Sequence, residues 1–190
     1  MKSLSLSQPH LIILTGIKGS GKTFFAEKFA ETFHAPYICR EWIDTVVPDK
    51  TTANEIITKQ LDELLKTKQS IVIDGLAGTR TDRVELGHKA REAGYDTMLI
   101  WVQTDPVTAK NRAIKDSKGE LTSSEYDKLA KRFTPPSALE KPTVISGKHT
   151  YASQAKVVLK KLTSPRTAIS THRTATVRPA EPGRRNITIR

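Results

Sequence analysis

The sequence predicts an α/β fold: a mainly parallel, five-stranded sheet with helices on both faces. Two observations carry this. Short apolar runs that end in Gly or Asp recur along the chain, as buried parallel strands do. Between them lie longer segments with apolar residues every three or four positions, the spacing of amphipathic helices. That alternation implies βαβ units with right-handed crossovers.

The first run, "HLIILTG", is a strand feeding a tight turn. From Lys22 the period becomes helical, with Phe25, Phe29 and Phe33 four residues apart as a core stripe. Pro36 ends that helix and "YIC" forms the second strand. "TTANEIITKQLDELLKT" follows as an amphipathic helix whose caps are expected at Thr51 and Thr52. "SIVIDG" is the third strand, and "TDRVELGHKAREAG" a helix that Gly94 stops. "TMLIWVQT" is the fourth strand, after which Asp105-Pro106 opens a helix with proline at its first position. "KDSKGELTSSEYDKLAKRF" reads as a helix end, a charged loop and a new helix from about Thr122, capped by Ser123, Ser124 and Glu125. "PTVISG" and "YASQAKVVLKKL" complete the domain as fifth strand and last helix.

The chain has 190 residues, enough for one domain spanning 1–162 that buries its core without staples. Cys39 is the one cysteine, so no internal disulfide forms; it is expected as a small buried hydrophobe in a reducing compartment. No apolar run approaches a membrane span and the N-terminus lacks a signal-peptide core, so a cytoplasmic protein is expected. The net charge is +11, of which +5 belongs to residues 163–190, with six arginines against Glu181. That Thr/Arg/Pro-rich tail is expected to be disordered, although "TATVR" and "NITIR" alternate like the strands of a small hairpin. A basic body and tail suit a polyanion such as nucleic acid; a lysine-rich solvated surface explains the body equally well.

"TGIKGSGKTFF" carries the clearest chemistry, with Gly16, Gly21, Lys22 and Thr23 at the spacing G-x-x-x-x-G-K-[ST]. In that loop the amides of Gly16, Ile17, Lys18, Gly19, Ser20, Gly21, Lys22, Thr23 and Phe24 are placed to cradle a triphosphate, aided by the helix N-terminus. Lys22 is expected to bridge the β- and γ-phosphates and Thr23 to offer its hydroxyl to Mg²⁺. The domain is therefore a P-loop NTPase three-layer sandwich, and Asp74, ending the third strand, is a second metal-binding candidate. Phosphoryl transfer also needs a base near the acceptor hydroxyl. Glu41 and Asp44, just after the second strand, both face the ligand edge of such a sheet, and either fits. Arg40 is placed to bind an acceptor phosphate or to pair with a neighbouring acid. Arg112, Lys115 and Lys118 surround the glycine-containing loop between two helices, the composition of a helical lid over the triphosphate. Arg80, Arg83 and Arg132 are further cations that could meet an acceptor. His34, His88 and His149 show no metal-ligand spacing.

From about His10 to Leu162 the chain resembles the AAA_33 or polynucleotide-kinase-like group of P-loop kinases. These are relatives of phage polynucleotide kinase, zeta toxins and chloramphenicol phosphotransferase. The resemblance rests on "GIKGSGKT", "IVIDGLAGTRTDR", "AREAGYDTMLIWVQTDPVTAKNR" and "KRFTPPS". It implies a central parallel sheet and Mg²⁺- and ATP-dependent phosphorylation of a hydroxyl. It also implies a general base after the second strand, nearest Glu41 and then Asp44, and a lid arginine in the Arg112–Lys118 region. The acceptor is left as a nucleic-acid end, a nucleoside or a small molecule. Two other functions fit: a regulatory ATPase without an acceptor, and a zeta-toxin-like kinase of sugar nucleotides. ATP and GTP are not separated by sequence, because loops such as Ser146-Gly147-Lys148 carry no readable base code.

Overall fold

A computed structural model describes Leu6 and residues 8–163. The stretch 164–190, expected as a disordered basic tail or small hairpin, lies outside the described residues. Five strands form one sheet: β1 (His10–Thr15), β2 (Tyr37–Cys39), β3 (Ile71–Asp74), β4 (Asp96–Gln103) and β5 (Thr143–Ser146). Their order is β2-β3-β1-β4-β5, and every neighbouring pair is parallel. β1 thus runs at the centre, with Ile12 opposite Val72 of β3 and Met98 of β4.

The central strands carry continuous apolar runs, Leu11–Leu14 and Ile71–Ile73, because both of their faces are covered. Leu11, Ile13, Ile71 and Ile73 point to one face, where they meet Ile57, Leu61 and Leu65 of α3 (Lys50–Lys66) and Ala90 of α4 (Arg80–Glu92). Ile12, Leu14, Val72 and Ile100 point to the other, against Phe25 and Phe29 of α1 (Lys22–Phe33) and Val158 of α7 (Tyr151–Leu162). Phe25 and Phe29 are fully buried, and the removal of each ring from water contributes about 2–3 kcal/mol. Phe33 is half-buried at the end of the stripe and stacks on Phe29, with ring centroids 4.6 Å apart. Cys39 is buried, as expected of a small hydrophobe.

Three local readings differ from the sequence expectation. The segment after β2 is a helix, α2 (Arg40–Val46), which anchors to the core through Ile43 alone. Its seven residues hold one buried position, too few to show a period. Helix α3 is capped by Asp49, whose carboxylate accepts from the Thr52 amide, and not by Thr51 or Thr52. After α5 (Pro106–Asp116), the helix α6 (Ser123–Arg132) is capped by Thr122 in a reciprocal box with Glu125. A single 3₁₀ turn, Ala138–Glu140, precedes β5. Gly94 takes φ 73° after α4 and Pro106 sits at the first position of α5, both as the sequence predicts.

Candidate active site

The phosphate loop spans Gly16 to Thr23, from the end of β1 to the first turn of α1. Its shape is set by close packing as well as by its glycines. Gly19 has φ 79°, and a Cβ there would lie 2.1 Å from the Ala109 carbonyl oxygen of α5, so the position admits no side chain. The Ser20 carbonyl accepts from Thr104 Oγ1 at 2.9 Å, and the Lys18 carbonyl from the buried Tyr126 hydroxyl of α6 at 3.2 Å. Helices α5 and α6 therefore both pack on the loop, tied to each other by Lys110 and Asp127 at 2.7 Å. Lys22 Nζ donates to the Ile17 carbonyl at 3.0 Å. Burial lowers its pKa, opposed by the negative charge of Asp74. Phe24 shows its ring to solvent, 55% exposed, and brings only its backbone to the loop.

β3 lies beside β1, which carries Asp74 to the loop. Asp74 is 2% exposed; its Oδ2 accepts from Thr23 Oγ1 at 2.6 Å, and its Oδ1 is buried without a hydrogen-bond partner. Burial raises its pKa, which Lys22 and Thr23 counter. A buried carboxylate oxygen without a partner costs free energy and is rare in native structures. Beside a threonine hydroxyl it makes a pair of hard oxygen ligands, so these residues fit Mg²⁺.

The two candidate bases lie on α2, one helical step from β2. Glu41 forms an ion pair with Lys18 Nζ, which places its carboxylate at the phosphate loop. Asp44 accepts from Arg40 Nε at 2.7 Å, and Arg40 Nη1 donates to Asn54 Oδ1 of α3 at 2.6 Å. Arg40 thus pairs with a neighbouring acid. Gly75, at φ 81°, closes this corner, since a Cβ there would meet Arg40 Cβ at 2.6 Å.

The expected lid cations have separate positions. Arg112 Nη1 donates to the Gly147 carbonyl at 3.1 Å and so braces the Ser146-Gly147-Lys148 loop, which packs on the Ser20 carbonyl. Lys115 and Lys118 are exposed, and neither lines the cavities flanking the phosphate loop. Arg80 and Arg132 are exposed. Arg83 corrects the sequence reading, which offered it to an acceptor. It is 5% exposed, and Nε and Nη2 hold both oxygens of Glu140 at 2.6 and 3.2 Å. Nη1 donates to the Thr134 carbonyl at 2.9 Å and more weakly to Ala77 at 3.4 Å. This buried strut joins α4 to the segment after α6. Arg83 and Glu140, 57 positions apart, are joined by no local sequence signal, and neither is the Tyr126–Lys18 contact, across 108.

Two cavities flank the loop. One, of about 800 Å³, opens between the end of β4, α5 and α6, with Trp101, Tyr126 and Lys148 in its wall. The other, of about 270 Å³, lies between Gly16–Lys18, the turn after β3 and the end of α6.

The chain is similar in structure to several solved proteins, kinases among them. A gluconokinase from Sinorhizobium meliloti 1021 superposes with TM-score 0.61 and 17% identity, over 81% of this chain and 91% of that one. The Mycobacterium tuberculosis APS kinase CysC, in complex with AMPPNP and APS, gives 0.63 and 14%, over 83% and 99%. Kti12 from Chaetomium thermophilum, in complex with ADP-AlF3, gives 0.58 and 18%, over 80% and 96%. At these identities the likeness establishes the fold. No curated protein matches the chain by sequence. The family model AAA_33, an AAA domain, matches residues 11–136, from β1 to the segment beyond α6. That match covers well over half of the sequence, and the chain belongs to the AAA_33 family of P-loop kinase-type domains.

Proposed function

We propose that the protein is an ATP- and Mg²⁺-dependent kinase that transfers the γ-phosphoryl group to a hydroxyl of a nucleic-acid end, a nucleoside or a small molecule. The observation that carries this reading is the unpartnered Asp74 Oδ1 beside Thr23, at the start of the helix that follows the phosphate loop. Thr23 and Asp74 would hold Mg²⁺, which would supply charge neutralisation at the β- and γ-phosphate oxygens. Lys22, buried at the same point, stabilises the negative charge that builds on the bridging oxygen.

Glu41 is the base. Its carboxylate takes the acceptor's hydroxyl proton, the oxygen bonds to the γ-phosphorus, and the bond from that phosphorus to the bridging oxygen breaks, releasing ADP. Lys18, on the loop itself, orients Glu41 through their ion pair. Asp44 is engaged by Arg40, which favours Glu41 of the two. Arg112, on the Gly147 carbonyl, stands near the loop after β5 and supports the nucleotide side of the site. The kinase likeness of the solved structures supports phosphotransfer as the reaction class.

Incubation with γ-labelled ATP and Mg²⁺ beside 5′-hydroxyl oligonucleotides, nucleosides and sugars tests this. Label should move to one acceptor class, and the transfer should vanish in Lys22→Ala. ATP consumed with no acceptor labelled would favour the regulatory ATPase instead.

A further inference from the structure

The cavity of about 270 Å³ lies between the phosphate loop, the turn after β3 and the end of α6. Of the loop it takes Gly16, Ile17, Lys18 and Lys22, whereas Gly19, Gly21 and Thr23 line none of it. It is thus the space beyond the cradle, next to the lysine that carries Glu41. Three cations line it, Lys18, Lys22 and Arg132, and no carboxylate does.

Two of the three are committed. Lys22 donates to the Ile17 carbonyl and lies in the field of Asp74, and Lys18 is paired with Glu41. The Arg132 side chain forms no hydrogen bond or ion pair with any described residue, and neither does that of Arg80, which directly follows the lining Thr79. An unpaired surface arginine is ordinary, but the backbone just beyond Arg132 is anchored. The Thr134 amide donates to the Gly78 carbonyl at 3.0 Å, and the Thr134 carbonyl accepts from Arg83 at 2.9 Å. These bonds fix the backbone two residues beyond Arg132 to the opposite wall of the cavity. Leu129 and Phe133 flank it with apolar surface, which strengthens any charge pairing there.

We infer that the acceptor carries an anionic group, a phosphate, sulfate or carboxylate, which Arg132 binds in this cavity with Arg80 at its rim. A guanidinium suits such planar or tetrahedral oxyanions because it can donate two parallel hydrogen bonds. The cavity, of about 270 Å³, has room for a compact charged head group. This inference rests on the phosphotransferase reading, since it takes the cavity as the acceptor side.

Calorimetric titration of protein saturated with AMPPNP and Mg²⁺ tests it with matched probes. The pairs are ribose 5-phosphate against ribose, gluconate against glucose, and a 5′-hydroxyl dithymidine with a phosphodiester link against its neutral methylphosphonate. The anionic member of at least one pair should bind about tenfold more tightly or better. Arg132→Gln should remove that preference and leave the AMPPNP affinity unchanged, while Arg132→Lys should keep part of it. The first two pairs report a small metabolite and the third a nucleic-acid end. Absence of preference in every pair, absent binding included, overturns the inference. So does an Arg132→Gln protein that loses AMPPNP affinity and keeps the preference, because Arg132 would then serve the nucleotide. Anion binding without label transfer would sink the kinase reading alone, whereas transfer indifferent to Arg132→Gln would sink the anion site alone.

Discussion

Glu140→Ala is expected to destabilise the protein strongly although Glu140 lies outside the phosphate loop. Its carboxylate takes two hydrogen bonds from Arg83, whose side chain is 3% exposed, and its own is 15% exposed. Removing one partner of a buried ion pair costs about 3–5 kcal/mol because the other charge stays buried. Here water can reach Arg83 from the Glu140 side, and the Thr134 and Ala77 carbonyls remain as acceptors, so the lower end, about 3 kcal/mol, applies. For a chain of this size that lowers Tm by about 6–12 °C. Glu140→Gln, which keeps an acceptor oxygen, should cost roughly 1–2 kcal/mol. The pair also sets a pH signature. Arg83 and the Ser137 amide hold the Glu140 pKa down to about 2, below its ordinary value of 4.5. A depressed acid contributes stability that is complete above its unfolded pKa and is lost as pH falls toward the folded one. The Tm gap between wild type and Glu140→Gln should therefore hold from about pH 7 to 5, narrow progressively below about pH 4.5 and close only near pH 2. Calorimetric melts across that range decide it; a Glu140→Ala protein that melts within about 2 °C of wild type at pH 7 would refute the strut.

Three further outcomes follow from the site. Asp74→Asn removes a buried negative charge that is costly to desolvate, so the ligand-free protein should melt at the same temperature or up to about 4 °C higher, while stabilisation by Mg²⁺–AMPPNP falls sharply; equal stabilisation of both proteins would remove Asp74 from the metal site. Gly147→Ala places a Cβ 2.0 Å from the Ser20 carbonyl oxygen and 2.2 Å from Thr104 Oγ1. It should cost about 1–3 kcal/mol by overpacking and weaken AMPPNP binding, and unchanged melting and binding would show that this contact yields freely. Tyr126→Phe keeps the buried ring but loses the hydroxyl that holds the Lys18 carbonyl; it should cost about 1 kcal/mol and raise KM for ATP, and a protein unchanged in both would show that α6 does not support the loop.

The centre of the sheet was readable because β1 and β3 are covered on both faces: "LIIL" and "IVI" leave no polar position to confuse the period. The phosphate loop was readable because its chemistry depends on glycines at fixed spacing, and Gly19 against Ala109 shows why no other residue serves. Helix α2 was hidden because Ile43 is its one buried residue, which leaves Glu41 and Asp44 indistinguishable in sequence. Only packing separates them, one turned to Lys18 and the other to Arg40. Arg83 and Arg132 both read as free cations; their fates diverge because Glu140 lies against one and no acid lines the cavity of the other.

The central claim is that Glu41 serves the transfer step itself. The direct measurement is acceptor-dependent phosphoryl transfer by Glu41→Gln against wild type, with the AMPPNP dissociation constant determined on the same proteins. Loss of a positioned general base predicts a kcat lower by about 10²- to 10⁴-fold with nucleotide affinity nearly unchanged. A Glu41→Gln protein that transfers phosphoryl groups at the wild-type rate would contradict the account.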